Sequence, residues 1–131
     1  MEKKFDLRFD PDASEEYSKL DKSVLPVVNK AIDELEYRAD EIGKPLGNKN
    51  STKLAGCKEI KLRELGIRIV FRITCEKVEV LRIVYVLAID ARSKDYVFKV
   101  AHERLKKFKG HSKERLAKLL KRSKKWDVGK R

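Results

Sequence analysis

The segment GCKEIKLRELGIRIVFRI, Gly56 to Ile73, decides how the chain is put together. Taken at period two, it sets an apolar face (Ile60, Leu62, Ile67, Ile69, Phe71, Ile73) against a charged one. The charged face carries Glu59, Lys61, Arg63, Arg68 and Arg72. Leu65 and Gly66 interrupt the alternation, so the segment predicts two strands joined by a short turn. Side chains two residues apart on a strand share a face, which projects Lys61 and Arg63 together. The turn brings Arg68 toward Arg63 across the ladder. Such a face is either a solvated surface or a place built to hold an anion, and spacing alone leaves both open. The single glutamate among the cations is the odd member of the set.

Working outward, KFDLRFD alternates Phe5, Leu7 and Phe9 with polar residues and predicts a half-buried strand. Asp10 or Asp12 can cap the short helix that follows, with Pro11 in its first turn and Ala13, Tyr17 and Leu20 on its apolar side. Ser23 is a candidate cap for a second helix, in which Val24, Val27, Val28, Ala31, Ile32, Leu35, Ala39 and Ile42 recur at helical spacing. GKPLGNKNS is a loop. Beyond the hairpin, KVEVLRIVYVLAI is apolar on both faces apart from Glu79 and Arg82, the pattern of a central strand. KDYVFKVAHERLKKF predicts a helix with Val97, Val100, Ala101, Leu105 and Phe108 on one side. Ser112 can cap a last amphipathic helix bearing Leu116, Leu119, Leu120 and Trp126. The order β-α-α-β-β-β-α implies an α+β domain over residues 1–105, with a mainly antiparallel sheet and helices on one face. Residues 106–131 are expected to form a basic helical extension.

A chain of 131 residues holds one ordinary domain, and 41% hydrophobic residues are enough for a core. The longest apolar run, IVYVLAI, has strand length, and the N-terminal stretch lacks the apolar segment of a signal peptide. Cys57 and Cys75 make no disulfide framework. The expectation is a cytoplasmic, reduced protein. The formal net charge is +12, and Glu103 to Arg131 carries thirteen of the 33 Lys and Arg residues against three acidic ones. A block of this kind attracts polyanions, nucleic acid first among them.

The common catalytic signatures GxSxG, HExxH, the P-loop and GxGxxG are missing, and the scattered Cys57, Cys75, His102 and His111 make a poor metal set. The expectation is therefore no metal and no cofactor. His102 falls in a helix and His111 in a linker, where surface roles are the ordinary ones; Asp33/Glu34 and Glu15/Glu16 sit on helix surfaces. What remains is the cation cluster, joined by Arg92 where the central strand leaves the sheet. Like charges repel, so gathering Lys61, Arg63, Arg68 and Arg92 without an anion is unfavourable. Around a phosphodiester they become ligands, Arg as a fork and Lys as a point charge. They would also stabilise a pentacoordinate phosphorane formed by a ribose 2′-hydroxyl. A lysine crowded by arginines has a lowered pKa, which suits it to act as a general base.

STKLAGCKEIKLRELGIRIVFRI and VYVLAIDARSKDYVFKVAHERL together resemble the RelE/ParE superfamily of toxins from bacterial type II toxin–antitoxin systems, nearest the RelE-like mRNA interferases. The likeness runs from about Phe5 to Leu105. It implies a small α+β toxin that enters the ribosomal A site and cuts mRNA by 2′-hydroxyl attack without a metal, and on that reading the basic tail from Glu103 to Arg131 would grip ribosomal RNA. It also implies a cognate antitoxin that covers this face. Position by position, it assigns Lys61 to proton abstraction or phosphate binding, Arg63 and Arg68 to the scissile phosphate, and Arg92 to the leaving group or the transition-state charge. Where the family often has another lysine, this chain has Glu59, which would be either a base or a brake. Where the family places a tyrosine, it has Phe98, with Tyr96 nearby; both are candidate substrate contacts, as are Arg72 and Lys58. The alternatives are a ParE-like binder that poisons gyrase and a homologue that binds RNA or antitoxin without cutting.

Overall fold

The computed structural model describes residues 2–49, 52–78, 81–91, 93–109 and 124–125. Its centre is the doubly apolar segment of the sequence, β5 (Leu81–Asp90). On one side β5 pairs antiparallel with β4 (Ile67–Val78); on the other it pairs in parallel with β1 (Phe5–Phe9). Outside β4 lie β3 (Cys57–Leu62) and the two-residue β2 (Lys44–Pro45), and outside β1 lies β6 (Lys124–Lys125). Lys77 and Val78, taken from the sequence as the start of the central strand, instead end β4 and face Arg82 and Leu81.

Among the described residues, three α-helices cover the sheet: α1 (Pro11–Ser18), α2 (Leu25–Arg38) and α3 (Lys94–Lys109). Asp10 caps α1 by accepting the Asp12 N–H at 2.8 Å. Asp21, rather than Ser23, does the same for the 3₁₀ turn Lys22–Val24 that leads into α2; its carboxylate accepts the Ser23 N–H at 2.8 Å. The expected placement of all helices on one face is corrected. Phe5, Leu7, Phe9, Ile69, Phe71, Val84 and Val86 pack with Val28, Ile32 and Leu35 of α2. The alternate positions Val70, Tyr85 and Leu87 pack with Val97, Phe98, Ala101 and Leu105 of α3. Successive side chains of a strand point to opposite faces, so α3 lies opposite the α1–α2 pair. The physical reason is β5 itself: a strand apolar on both faces needs both covered.

A bulge opposite Val70 and Phe71 leaves Leu87 unmatched in the ladder, and both Leu87 and Ala88 join the α3 cluster. The expected last helix falls largely outside the described residues. Within it, Lys124 and Lys125 are extended and pair antiparallel with Phe9 and Arg8.

Candidate active site

The hairpin of β3 and β4 sets the geometry. Its last pair is Leu62 with Ile67, leaving Arg63 to Gly66 as the turn. Two hydrogen bonds close it, Leu65 N–H to the Leu62 carbonyl at 3.1 Å and Gly66 N–H to that of Arg63 at 3.2 Å. Gly66 has φ +68°, a left-handed conformation that a residue with a Cβ adopts only with strain. The register makes Lys61, not Arg63, the direct partner of Arg68. Arg63 stands at the start of the turn instead, and Lys61, Leu62, Arg63, Gly66 and Arg68 line a shallow pocket of about 260 Å³.

The field in this pocket is strongly positive. Lys61 is pushed below the ordinary lysine pKa, chiefly by the Arg68 guanidinium, then by loss of solvent and by Arg63. Glu59 opposes the shift, and Lys94, in the first turn of α3, adds to it. The glutamate lies on the same sheet face as Lys61, two residues earlier. Its Oε2 accepts a hydrogen bond from Arg68 Nη1 at 3.1 Å, and the two side chains are 7% and 14% exposed. One carboxylate thus offsets one guanidinium beneath the surface, which lets the strand pair assemble several cations without an anion present.

The remaining candidates separate. Lys58 points to the other face, where its Nζ donates to the Ala39 carbonyl at 3.1 Å, just beyond the C-terminus of α2. Arg72 is four residues from Arg68, and its Nη1 donates to the Ala55 carbonyl at 3.2 Å. It lies against Gly56, where a Cβ would come within 2.6 Å of Arg72 Nη1. Both therefore brace the fold in this structure. Phe98 is buried in the α3 cluster, with Lys94 Nζ 5.6 Å from its ring centroid, while Tyr96 is 38% exposed. Arg92 lies outside the described residues.

Sequence reasoning missed Lys94, although it stands two residues after Arg92 on the way into α3. It also missed the strap formed by His102, whose Nδ1 accepts the Lys53 N–H at 2.9 Å and ties the loop before β3 to α3. No group of three or more His, Cys, Asp or Glu residues among those described is placed to hold a metal. No helix among the described residues is long and apolar enough to cross a membrane.

No family model matches the chain, and no curated protein matches it either. Solved structures do. A mutant of the E. coli toxin RelE in the free state superposes with a TM-score of 0.59 at 28% identity, over 79% of this chain and 99% of that one. The same toxin in complex with an antitoxin peptide aligns with a TM-score of 0.50 at 28% identity, over 75% and 94%. The toxin–antitoxin complex RelBE2 from Mycobacterium tuberculosis gives 0.52 at 28% identity, over 70% and 95%.

Proposed function

The chain belongs to the RelE/ParE superfamily of toxins and has the RelE-like fold, and from that premise we propose that it is a ribosome-dependent endoribonuclease. The observation that carries this reading is the cross-strand pair of Lys61 and Arg68 with Arg63 beside it. In the proposed reaction, Lys61 in its neutral form takes the proton of the ribose 2′-hydroxyl. The 2′ oxygen attacks the adjoining phosphorus, and the phosphorane's extra negative charge falls on Arg63 and Arg68. The 5′ oxygen then leaves with the bonding electron pair and takes a proton from water or a neighbouring ammonium. The products are a 2′,3′-cyclic phosphate and a 5′-hydroxyl. The lowered pKa of Lys61 supports its part, because a base must be available unprotonated near the working pH.

Arg92, at the exit of β5, is assigned to the leaving group. The basic segment beyond Glu103 would grip ribosomal RNA, and a cognate antitoxin would cover the hairpin in the cytoplasm. The test is inducible expression with mapping of mRNA 5′ ends, comparing the wild type with Arg68→Ala and Arg92→Ala. Cuts at defined codon positions that vanish in both variants are the expected result. Growth arrest with double-strand DNA breaks and intact mRNA would replace this reading with gyrase poisoning. An absence of toxicity would replace it with a homologue that does not cut.

A further inference from the structure

Beside the phosphate pocket is a second concavity, of about 120 Å³, between the loop after β2 and the first turns of α3. Leu46, Leu54 and Phe98 supply its apolar lining, Glu59 its carboxylate, and Lys44, Lys49 and Lys94 its cations. Leu54, Phe98 and Glu59 are buried, whereas the three lysines are exposed and ring the mouth. Hydrogen bonds hold the loop in shape before anything binds. Leu46 N–H donates to the Cys57 carbonyl at 2.9 Å, Ala55 N–H to Asn48 Oδ1 at 3.0 Å, and Lys53 N–H to His102 Nδ1 at 2.9 Å.

The cavity is too small for a peptide helix and suits one planar ring. Its lining of apolar side chains with two buried polar residues, Glu59 and Thr52, is that of a heterocycle site. Glu59 also connects it to the phosphate pocket, since Glu59 and Lys61 share a strand face about 7 Å apart. That is the scale separating a phosphate from a nearby base. A carboxylate accepts hydrogen bonds and donates none. Adenine, cytosine and guanine each present an exocyclic amino group to such an acceptor. Uracil offers a single ring N–H flanked by two carbonyl oxygens, and one of these would face a carboxylate oxygen.

Resting on the RNA-cleavage reading, we infer that this cavity is a nucleobase subsite in which Glu59 admits amino-bearing bases and disfavours uracil, with Lys44, Lys49 and Lys94 holding the flanking phosphates. The Glu59 pairing with Arg68 through Oε2 leaves acceptor capacity on the carboxylate for a base. This gives the glutamate a task that neither a base nor a brake requires.

The experiment titrates methyl-labelled protein with the 3′-monophosphates of adenosine, cytidine, guanosine and uridine, following the Leu46 and Leu54 methyl signals by NMR. Those signals are expected to move with the first three, with uridine binding roughly tenfold more weakly. Glu59→Gln, which can donate as well as accept, should bring uridine level with the others. Leu46→Trp, which fills the cavity, should abolish binding of all four. Uridine binding as tightly as the others to the wild type overturns the inference, as does the absence of any shift at these methyls. The probes contain no cleavable internucleotide bond, so the result stands whether or not the chain cuts RNA. Conversely, cleavage with no base discrimination would leave the proposed function in place and remove this inference alone.

Discussion

Two arginine–glutamate pairs in this molecule are buried to a similar degree and do opposite things. At the end of β1, β5 loses its parallel neighbour beyond Val86, and side chains take over its free edge. Glu16 Oε1 accepts the Ile89 N–H at 3.2 Å, and Arg104 Nη1 donates to the Leu87 carbonyl at 2.8 Å. Arg104 and Glu16 then close on each other in a fork, at 2.7 and 3.1 Å. Burial alone would lower the Arg104 pKa, but the hydrogen bond and charge of Glu16, with Asp10 and Asp12, outweigh it and raise it. In the Arg68–Glu59 pair, one contact of 3.1 Å joins the two, and Arg68 opens onto the Lys61 pocket. Exposure does not separate the pairs, at 14% and 19% for the first and 14% and 7% for the second. The number of committed donors does. Arg104 places three N–H groups on carboxylate and carbonyl oxygens, whereas Arg68 places one on Glu59; a guanidinium with more donors to spare is better equipped for a ligand.

The largest effect that tests this contrast is on stability. Arg104→Ala removes one partner of a half-buried pair, leaves Glu16 uncompensated and strips the cap from the Leu87 carbonyl, so we expect a loss of about 3 kcal/mol in urea denaturation. Arg68→Ala is expected to do the reverse. Cleavage by the purified protein on programmed ribosomes should fall by roughly 10²–10³, while Lys61, whose charge still acts on the Glu59 carboxylate, limits the loss of stability to about 1–2 kcal/mol. Equal losses of stability in the two variants, or a cleavage defect confined to Arg104→Ala, would dissolve the distinction.

The sequence made one pair far more legible than the other. The hairpin, its turn and the cations on one face follow from period-two alternation and a single glycine, and the strand β1 and the central β5 follow from their apolar patterns, though not the parallel pairing between them. Within the site, the composition of the hairpin cluster was legible and its register was not. The turn begins at Arg63, which makes Lys61 the partner of Arg68, and turn length is set by backbone closure rather than by the charge pattern. Lys58 and Arg72 carry the right charge for the site. Helix α2 and the tight approach at Gly56 draw their side chains elsewhere, and only tertiary packing could reveal that. The Arg104–Glu16 fork joins residues 88 positions apart, so no local pattern announces it. The second helix layer was missed for a related reason: the apolar periodicity of α3 says that it packs, not on which face.

A smaller and sharper effect concerns Lys61. If it is the base, single-turnover cleavage should rise with pH as its ammonium loses a proton. The Arg68 charge is the largest cause of its lowered pKa, so Arg68→Gln should move the midpoint of that rise to higher pH. Arg104→Lys, whose partners are Glu16 and the Leu87 carbonyl rather than the hairpin cations, should leave the midpoint unmoved. Glu59→Gln separates the remaining roles of the glutamate. With Lys61 as base, the variant should keep cleavage within about tenfold of the wild type, whereas a loss of roughly 10²–10⁴ would make Glu59 the base. A rise in cleavage with Glu59→Lys would mark it as a brake.

The smallest expected effect lies at the edge of the Arg104–Glu16 pair, in Asp10. Burial raises its pKa above 3.8, against the opposing pull of the Asp12 N–H and the Arg104 charge. A carboxyl whose pKa is raised by folding binds its proton more tightly in the folded state. Its contribution to stability is therefore complete below 3.8 and is lost as pH rises through the folded value. Asn keeps an oxygen for the Asp12 N–H and never ionises. The stability of Asp10→Asn relative to the wild type should accordingly increase as pH rises from below 3.8 and level off once Asp10 is fully charged, measured by denaturation at a series of pH values. Cleavage on ribosomes should not change, since Asp10 belongs to the pair that serves the fold. A relative stability that falls over that range would mean that attraction to Arg104 outweighs burial, and that the carboxylate is a working part of the Arg104–Glu16 clamp rather than a cost it carries.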